Sequence, residues 1–236
     1  MSLAVSEFFF SLQGEGVSLG KPALFLRLQG CNLLCEGKDW RCDTIEVWQK
    51  GKRFDDDTLL SLWQQRGFIV ALEKGAHLVI TGGEPLLQQK GLMLFLNKLD
   101  ACLETPCFIE VESNATLKAS SYLLQRVNQW NLSPKLQNAG MPFKRRVQAE
   151  VLRDFVACQK AFFKFVIVSE SDLKEIRETF VDLYSISHER VILMPAAGTQ
   201  RELYARLLEC KRWAEKEGYA YSSRLQLQIW DEATGV

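Results

Sequence analysis

Residues 77–85, His77-Leu78-Val79-Ile80-Thr81-Gly82-Gly83-Glu84-Pro85, decide the fold. A short apolar, β-branched run stops at a glycine pair and a proline, the punctuation that closes a strand and opens a turn. Working outward, the same grammar recurs. Further strands are expected at Ala23 to Leu28, Phe108 to Val111, Gln129 to Leu132, Phe162 to Val168, Val191 to Met194 and Arg224 to Ile229. Between them, apolar residues at helical spacing predict helices at Asp56 to Gln65, Gln88 to Leu103, Ser120 to Val127, Gln148 to Cys158, Asp172 to Phe180 and Thr199 to Lys216. Ser171-Asp172 before Glu175, and Thr199 before Glu202, read as N-caps. Strands and helices in alternation specify a parallel sheet of right-handed βαβ units. No linker rich in Gly, Pro or Ser, no repeat and no low-complexity tract interrupts the series. The expectation is therefore an α/β fold in one domain over residues 1–236, an open or incomplete β/α barrel of about six parallel strands. Gln137 to Arg146 is expected as a long loop, and Cys31 to Arg53 as an irregular insertion after the first strand.

The chain has 236 residues, 47% hydrophobic, with 29 basic and 29 acidic side chains. A zero balance argues against a nucleic-acid partner held by phosphate neutralisation. Met1 to Phe10 carries Glu7 and no basic n-region, so no secretory signal is expected, and no stretch reaches the length of a membrane span. A cytoplasmic location is the resulting expectation. There, seven cysteines at irregular spacing argue for metal or catalytic use of some of them rather than a disulfide framework. With only His77 and His188, a His-rich metal site is improbable, and both histidines read as surface or capping residues.

Cys31, Cys35 and Cys42 fall within twelve residues, where chance would place on the order of 0.4 of the seven. Three thiolates on one loop suit a soft metal, either zinc or an iron-sulfur cluster. The loop supplies no fourth cysteine or histidine for a closed zinc site, whereas a cubane cluster on three cysteines keeps one iron open for chemistry. Cys102, Cys107, Cys158 and Cys210 read as packing residues. Gly82 and Gly83, at the C-terminal end of a parallel strand, would let the backbone approach a ligand, and Glu84 could accept from a ligand ammonium. By itself the Gly-Gly-Glu-Pro turn is also ordinary punctuation, but its place one strand after the cysteine loop favours the functional reading.

Ser11 to Gly16 (SLQGEG), Leu26 to Asn32 (LRLQGCN), Cys42-Asp43-Thr44 and Ile80 to Pro85 stand in this order. Val111 to Thr116, Ser133-Pro134-Lys135, Phe163 to Val166 and the segment from Arg224-Leu225 through Trp230 to Gly235-Val236 come after them. Together, over nearly the whole chain, they resemble the radical S-adenosylmethionine enzymes, and within them the 7-carboxy-7-deazaguanine synthases of queuosine precursor synthesis. The resemblance implies an incomplete barrel of the radical S-adenosylmethionine type. It implies a 4Fe-4S cluster on Cys31, Cys35 and Cys42, and S-adenosylmethionine held by Arg41, Asp43, Gly82, Gly83, Glu84, Glu112, Ser113, Ser133, Pro134 and Lys135. It implies a pterin substrate at Leu12, Gln13, Gly14, Glu15, Arg27, Thr81 and Gln226, with Arg27 a bidentate partner for its carboxylate, and a magnesium ion on Thr44. The implied reaction starts when a reduced cluster splits S-adenosylmethionine to a 5'-deoxyadenosyl radical. The radical takes a hydrogen from 6-carboxy-5,6,7,8-tetrahydropterin; ring contraction and loss of ammonia give 7-carboxy-7-deazaguanine. No side chain need act as a catalytic acid or base of its own. A homodimer and an electron donor of the flavodoxin or ferredoxin kind are implied partners.

Two departures stand out. The family's usual spacing is CxxxCxxC, but six residues, Glu36 to Arg41, separate Cys35 from Cys42, so the loop is expected to bulge outward. Gln226 falls where many members have histidine; it can bind but not titrate near neutrality, and it reads equally as an outward-facing residue of an alternating strand beside Gln228. The competing readings are a glycyl-radical activating enzyme, against which Gln13, Glu15, Arg27 and Thr44 speak, and a zinc-stapled binding module. Low charge and high apolarity are expected around the pocket, and zero net charge agrees with a small heterocyclic substrate held by a few placed charges. Lys144-Arg145-Arg146 reads as a solvated loop unless it meets an acidic partner, and Trp40 and Trp48 as anchors or shields of the cysteine loop.

Overall fold

In the computed structural model, which describes residues 2–38, 40–231 and 233, nine strands form one sheet in the order β3-β1-β2-β4-β5-β6-β7-β8-β9. They are β1 (Ser2–Leu12), β2 (Pro22–Leu28), β3 (Lys52–Asp55), β4 (His77–Gly82), β5 (Ile109–Ser113), β6 (Gln129–Leu132), β7 (Ala161–Ile167), β8 (Val191–Pro195) and β9 (Ala220–Tyr221). From β2 to β9 every neighbouring pair is parallel, while β1 joins β2 and β3 antiparallel. The order is linear and ends in two edge strands, so the parallel run with its helices makes the expected incomplete barrel. The cysteine-bearing segment comes after the second strand rather than the first, because β1 precedes it as an antiparallel flank.

The strands show why one face becomes a core and the other a site. On β2, Leu24, Leu26 and Leu28 join Leu78 and Ile80 of β4, Ile109 and Val111 of β5, Trp130 of β6 and Phe163 and Phe165 of β7 in the main hydrophobic cluster. Helices Asp56–Gln65 and Gln89–Cys102 complete it with Trp63 and Phe95, whose rings meet edge to face at 5.2 Å. Each such side chain taken fully out of water contributes about 1.5–3 kcal/mol. Successive strand residues face opposite sides, so the alternate positions Arg27, Thr81, Glu110, Glu112, Gln129, Asn131 and Lys164 turn to the other face. The barrel interior thus gathers the buried polar side chains, beside a small apolar patch of Ala23, Phe25 and Val79.

The main helices lie where periodicity places them, and Thr199 and Ser120 cap theirs through bonds from Glu202 N and Leu123 N. Four expectations change. Arg224 to Ile229 is not a strand: Leu225–Trp230 is helical, because the place beside β8 is already taken by Ala220–Tyr221 and Leu and Gln are good helix formers. With that, Gln226 and Gln228 are not alternating strand residues. The insertion is not wholly irregular, since Ile45–Trp48 is helical and Lys52–Asp55 pairs with β1. Gln137 to Arg146 is broken into two short turns of helix, Gln137–Ala139 and Phe143–Arg146. Ser171 makes no capping bond among the described residues; Asp172 instead accepts from Val168 N, Ser169 N and Asn138 Nδ2. No helix among the described residues is long and apolar enough to cross a membrane.

Candidate functional site

The C-terminal ends of the strands open on a cavity of about 650 Å3, within the range that buries a small-molecule ligand. Of the residues assigned from the sequence, all but Glu84 and Pro134 line it. Its wall mixes apolar and charged side chains. Glu15, Arg27, Asp43, Glu112, Lys135, Lys164 and Arg224 all face it, more charge than the expectation of a weakly charged pocket allowed: zero net charge results from opposite charges in balance, not from their absence.

Cys31, Cys35 and Cys42 come together in one small cluster with Leu33, Ala139, Trp40 and Met141. The six residues between Cys35 and Cys42 do not simply bulge. They close a hairpin in which Cys42 N donates to Cys35 O at 3.0 Å, Glu36 and Arg41 bridge, and Gly37 N donates to Trp40 O at 3.0 Å. The hairpin lies on the turn at 137–140. Trp40 Nε1 bonds Asn138 Oδ1 at 3.0 Å, Glu36 N bonds Ala139 O at 3.2 Å, and a Cβ on Gly37 would stand 1.8 Å from Asn138 O. Arg41 sits at the rim, paired with Glu46 at 2.5 Å.

These residues fit an iron-sulfur cluster. Burial pushes the Cys31 thiol up to about 11, and the Cys35 thiol upward too, with Lys135 opposing; such buried thiols become good ligands when a cation replaces their protons. Among the described residues no three Cys, His, Asp or Glu side chains converge as a lone ion would require. A cubane binds each thiolate to a different iron, so it takes sulfurs spread around it. Asn114 Nδ2 reaches Cys31 Sγ at 3.8 Å and Asn32 Oδ1 at 2.9 Å, a support that orients the first ligand. The Thr44 hydroxyl has one partner among the described residues, Cys42 Sγ at 3.4 Å; with that sulfur on iron, its lone pairs remain open to a hard cation.

The Gly-Gly-Glu-Pro turn works differently from the expectation. A Cβ on Gly82 would meet Leu28 O at 2.2 Å, and one on Gly83 would meet Gly30 O at 2.1 Å and the Cys31 Cβ at 2.8 Å. The glycines therefore admit the backbone that carries Cys31, with Gly83 N bonded to Leu28 O and Glu84 N to Gly30 O. Glu84 is 0% exposed. Its carboxylate accepts from Leu86 N, Ser113 Oγ and Asn114 N at 2.8–3.1 Å. It is not placed to take a ligand ammonium; it clamps the turn to the end of β5 and, through Asn114, to the cysteine loop. Burial pushes its pKa upward against those donors.

On the opposite wall, Glu15 accepts from Lys164 Nζ, from Arg224 Nε at 3.1 Å and from Gln226 Nε2 at 2.7 Å. Burial would raise the Glu15 pKa, but Lys164 and Arg224 outweigh it and hold the carboxyl well below the usual range. Arg224 also binds the Asp43 carboxylate and Ala197 O, so one guanidinium joins the N-terminal loop, the cysteine loop and the end of β8. Leu225 N→Gly14 O and Gly16 N→Ser222 Oγ, at 2.9 and 2.8 Å, fasten the same segment. Gln226 Oε1 is buried against Gly14 with no partner among the described residues. Arg27 spends Nε on Glu7 at 2.8 Å, leaving its two terminal nitrogens without a bond among the described residues. Between them Gln13 donates to Glu112 Oε1 at 3.3 Å, and Thr81 donates to Glu112 Oε2 at 2.7 Å. Lys135 Nζ bonds Ser133 Oγ at 2.9 Å.

Sequence reasoning gave no role to Lys164, Arg224, Asn131 or Glu7. The signal for Lys164 and Asn131 was present as a polar residue at alternate positions of an apolar strand; Glu7 and Arg224 act through contacts distant in sequence. Of the remaining cysteines, Cys107 and Cys210 are buried, Cys158 is partly so and Cys102 is exposed, which removes Cys102 from the core. His77 is neither free nor a cap but pairs with buried Glu110. Arg146 is buried against Glu175 at 2.6 Å, while Lys144 and Arg145 stay exposed. Gly235-Val236 lie outside the described residues.

Residues 12–129 match the family described as a 4Fe-4S single cluster domain. Over 232 residues the chain is 35% identical to a 7-carboxy-7-deazaguanine synthase of Pyrobaculum aerophilum, covering 98% of this chain and 96% of that one. It is 30% identical over 253 residues to a protein of the same name from Halobacterium salinarum, covering 98% and 92%, and 31% identical to another from Rhodopirellula baltica, covering 100% and 89%. The fold is similar to that of QueE from Escherichia coli, with a TM-score of 0.69, 22% identity and 95% coverage of each chain.

Proposed function

The chain belongs to the 7-carboxy-7-deazaguanine synthases, and from that premise we infer how its own residues divide the work. It is a radical S-adenosylmethionine enzyme of queuosine precursor synthesis, converting 6-carboxy-5,6,7,8-tetrahydropterin to 7-carboxy-7-deazaguanine with loss of ammonia. Neither a glycyl-radical activating enzyme nor a zinc-stapled module is favoured by these relatives. When bound, the 4Fe-4S cluster and S-adenosylmethionine supply the radical that abstracts hydrogen. Cys31, Cys35 and Cys42 would hold the cluster on one wall. Ser113, Ser133, Lys135, Glu112 and the backbone of Gly82, Gly83, Arg41 and Asp43 line the space beside it for the cofactor. Across the cavity, the free ends of Arg27 suit the substrate carboxylate. The carboxylates of Glu15 and Glu112 offer acceptors for ring N–H groups, with Leu12, Gln13, Gly14, Thr81 and Gln226 around them. Gln226 donates to Glu15, so a glutamine serves by holding that carboxylate where a histidine could titrate. Thr44 would hold a magnesium ion, which would supply positive charge beside the substrate.

The observation that carries this reading is that one cavity joins three clustered cysteines to a ring of paired charges. The described residues act as one unit, since β1 and residues 224–231 meet in that site. Arg145, exposed and bonded to Asn32 O at 3.4 Å, brings a cation to the residue after Cys31, which suits an acidic flavodoxin- or ferredoxin-type donor. Tyr204 and Leu208, exposed on one helix, support a homodimer. Seven free thiols agree with a cytoplasmic location. The test is anaerobic turnover: reconstituted protein given the pterin, S-adenosylmethionine, reductant and magnesium is expected to yield 7-carboxy-7-deazaguanine. Cluster-dependent cleavage of S-adenosylmethionine with no such product would refute the substrate.

A further inference from the structure

Glu110 lies two residues before Glu112 on the same face of β5, fully buried, and the proposed function leaves it without a role. Its Oε2 accepts from Asn131 Nδ2 at 2.7 Å, Gln129 Nε2 at 3.0 Å and Gln13 Nε2 at 3.5 Å. Its Oε1 lies 2.5 Å from Nδ1 of His77, a contact that needs a proton between the two atoms. His77 stacks on Phe108 with ring centroids 4.2 Å apart and closes the barrel floor. We propose that the Glu110–His77 pair is a positioning pair that fixes the amides lining the pterin site from below.

The hydrogen-bond inventory supports this directly. A side-chain amide has two donors on one atom and an acceptor on the other, and nothing in its shape chooses between them. Three amides aimed at one carboxylate oxygen can only donate to it, so Glu110 dictates which way each one points. With its NH2 committed downward, Gln13 offers Oε1 to Glu15 N at 3.2 Å and its second donor to Glu112 at 3.3 Å. Asn131 Oδ1 is in turn taken by Gln129 Nε2 at 2.9 Å, and Ser18 Oγ closes the set by donating to Gln129 Oε1 at 3.4 Å. Gln13, with Thr81, thus holds the Glu112 carboxylate, and it holds the loop that carries Glu15 through that residue's backbone N–H. A carboxylate buried at this depth needs a compensating charge or donor, and His77 is its one ion-pair partner among the described residues. Glu110 and His77 touch neither cluster nor substrate in this arrangement, so they act through Gln13 and Asn131.

The inference rests on the assignment of Gln13 to the pterin site. The Glu110→Gln substitution replaces one carboxylate oxygen by an NH2 and removes the charge, so one oxygen can no longer serve both His77 and the three amides, and Gln13 loses its fixed sense. In holoenzyme the expected result is a KM for the pterin raised about five- to tenfold, the worth of one disturbed hydrogen bond. The kcat and the KM for S-adenosylmethionine should stay within about twofold. Equilibrium dialysis with 6-carboxypterin should weaken by the same factor as KM. His77→Gln, which keeps a donor for Oε1, should stay near the parent, whereas His77→Ala should behave as Glu110→Gln does; this pair also serves if Glu110→Gln folds poorly. The double variant Glu110→Gln/Gln13→Ala should bind pterin no worse than Gln13→Ala alone. Unchanged pterin KM in Glu110→Gln and His77→Ala, or effects additive with Gln13→Ala, would overturn the proposal. A Gln13→Ala variant that binds pterin normally would instead overturn the site assignment beneath it.

Discussion

Replacing Lys164 by methionine takes one of two cations from the Glu15 carboxylate without emptying the space its stem fills. Both side chains are nearly buried, 8% and 12% exposed, so the carboxylate left behind cannot be rehydrated at leisure. Removing one partner of a buried pair destabilises by about 3–5 kcal/mol. Arg224 remains at 3.1 Å but divides itself between Glu15, Asp43 and Ala197 O, which places the expected loss at the lower end, about 3 kcal/mol. For a chain of this length that is about 6–12 °C in the midpoint of thermal unfolding. The cycle with Glu15→Gln isolates the pair. Neutralising the acid removes the orphaned charge, so the double variant should be more stable than the summed single losses by about 1.5–3 kcal/mol. The pH dependence carries the same sign. The folded Glu15 carboxyl is held low by Lys164 and Arg224 against its burial. Its contribution is therefore fully present above its unfolded value of about 4.5 and disappears as the pH falls through the lower folded one. Thermal scans from pH 7 down to pH 3 should show a shallower acid loss in Lys164→Met than in the parent. Additivity within about 0.5 kcal/mol, or an unchanged acid slope, would show that the contact does not hold the charge.

The cysteine wall carries consequences of its own. Gly83→Ala drives a Cβ to within 2.1 Å of Gly30 O, a backbone atom that cannot turn away. It should lower stability by about 1–3 kcal/mol and cut the iron bound per chain on anaerobic reconstitution by more than half. Gly198→Ala, whose added carbon meets only Glu202 Oε2 at 3.6 Å, should keep its iron. Thr44→Ala should retain the cluster, judged by its visible absorbance, but lose the stimulation of turnover by magnesium; undiminished stimulation would remove Thr44 from the metal. Excision of Gly37 to Trp40 should leave iron content near that of the parent while lowering the thermal midpoint, since the bond from Trp40 to Asn138 goes with it. Loss of the cluster in that deletion would show that the hairpin tip is needed for ligation.

Legibility differed between the two faces of the sheet for a physical reason. The outward face is read from composition alone: Leu24, Leu26 and Leu28, or Phe163 and Phe165, announce a buried strand because hydrophobic burial has no direction. The strand series and its helices were visible for that reason. The inward face holds Arg27, Glu112, Asn131 and Lys164, one polar residue at a time within apolar runs. What each does depends on a partner 20 to more than 200 residues away, as with Glu7 for Arg27 and Arg224 for Glu15. Contact specificity of that kind is set by where the strands lie relative to one another. Glu84 shows the limit in reverse: the motif marked it correctly as important, but whether a carboxylate faces a ligand or a backbone amide is decided by the packing of β5, not by the turn. The Arg224 segment failed as a strand because propensity cannot tell that another dipeptide has already taken the edge of the sheet.

The long cysteine loop shows how a chain can depart from a spacing and keep its geometry. In a CxxC step, the second cysteine's N–H lies three residues after the first cysteine's carbonyl, the closing bond of a β-turn. Here the same bond, Cys42 N to Cys35 O at 3.0 Å, is made across six residues instead of two. The four additional residues are two rungs' worth of antiparallel pairing, and Glu36 with Arg41, then Gly37 with Trp40, fill those rungs. An even insertion returns the chain to the same edge with the same face inward, whereas an odd one would turn Cys42 away from its neighbours. The hairpin also gains anchors that a turn would lack, on Asn138 and Ala139. The position of the third ligand is thus set by one backbone hydrogen bond and the parity of the insertion. Arg41, carried on the last rung and paired with Glu46, has its side chain moved to the rim as a consequence.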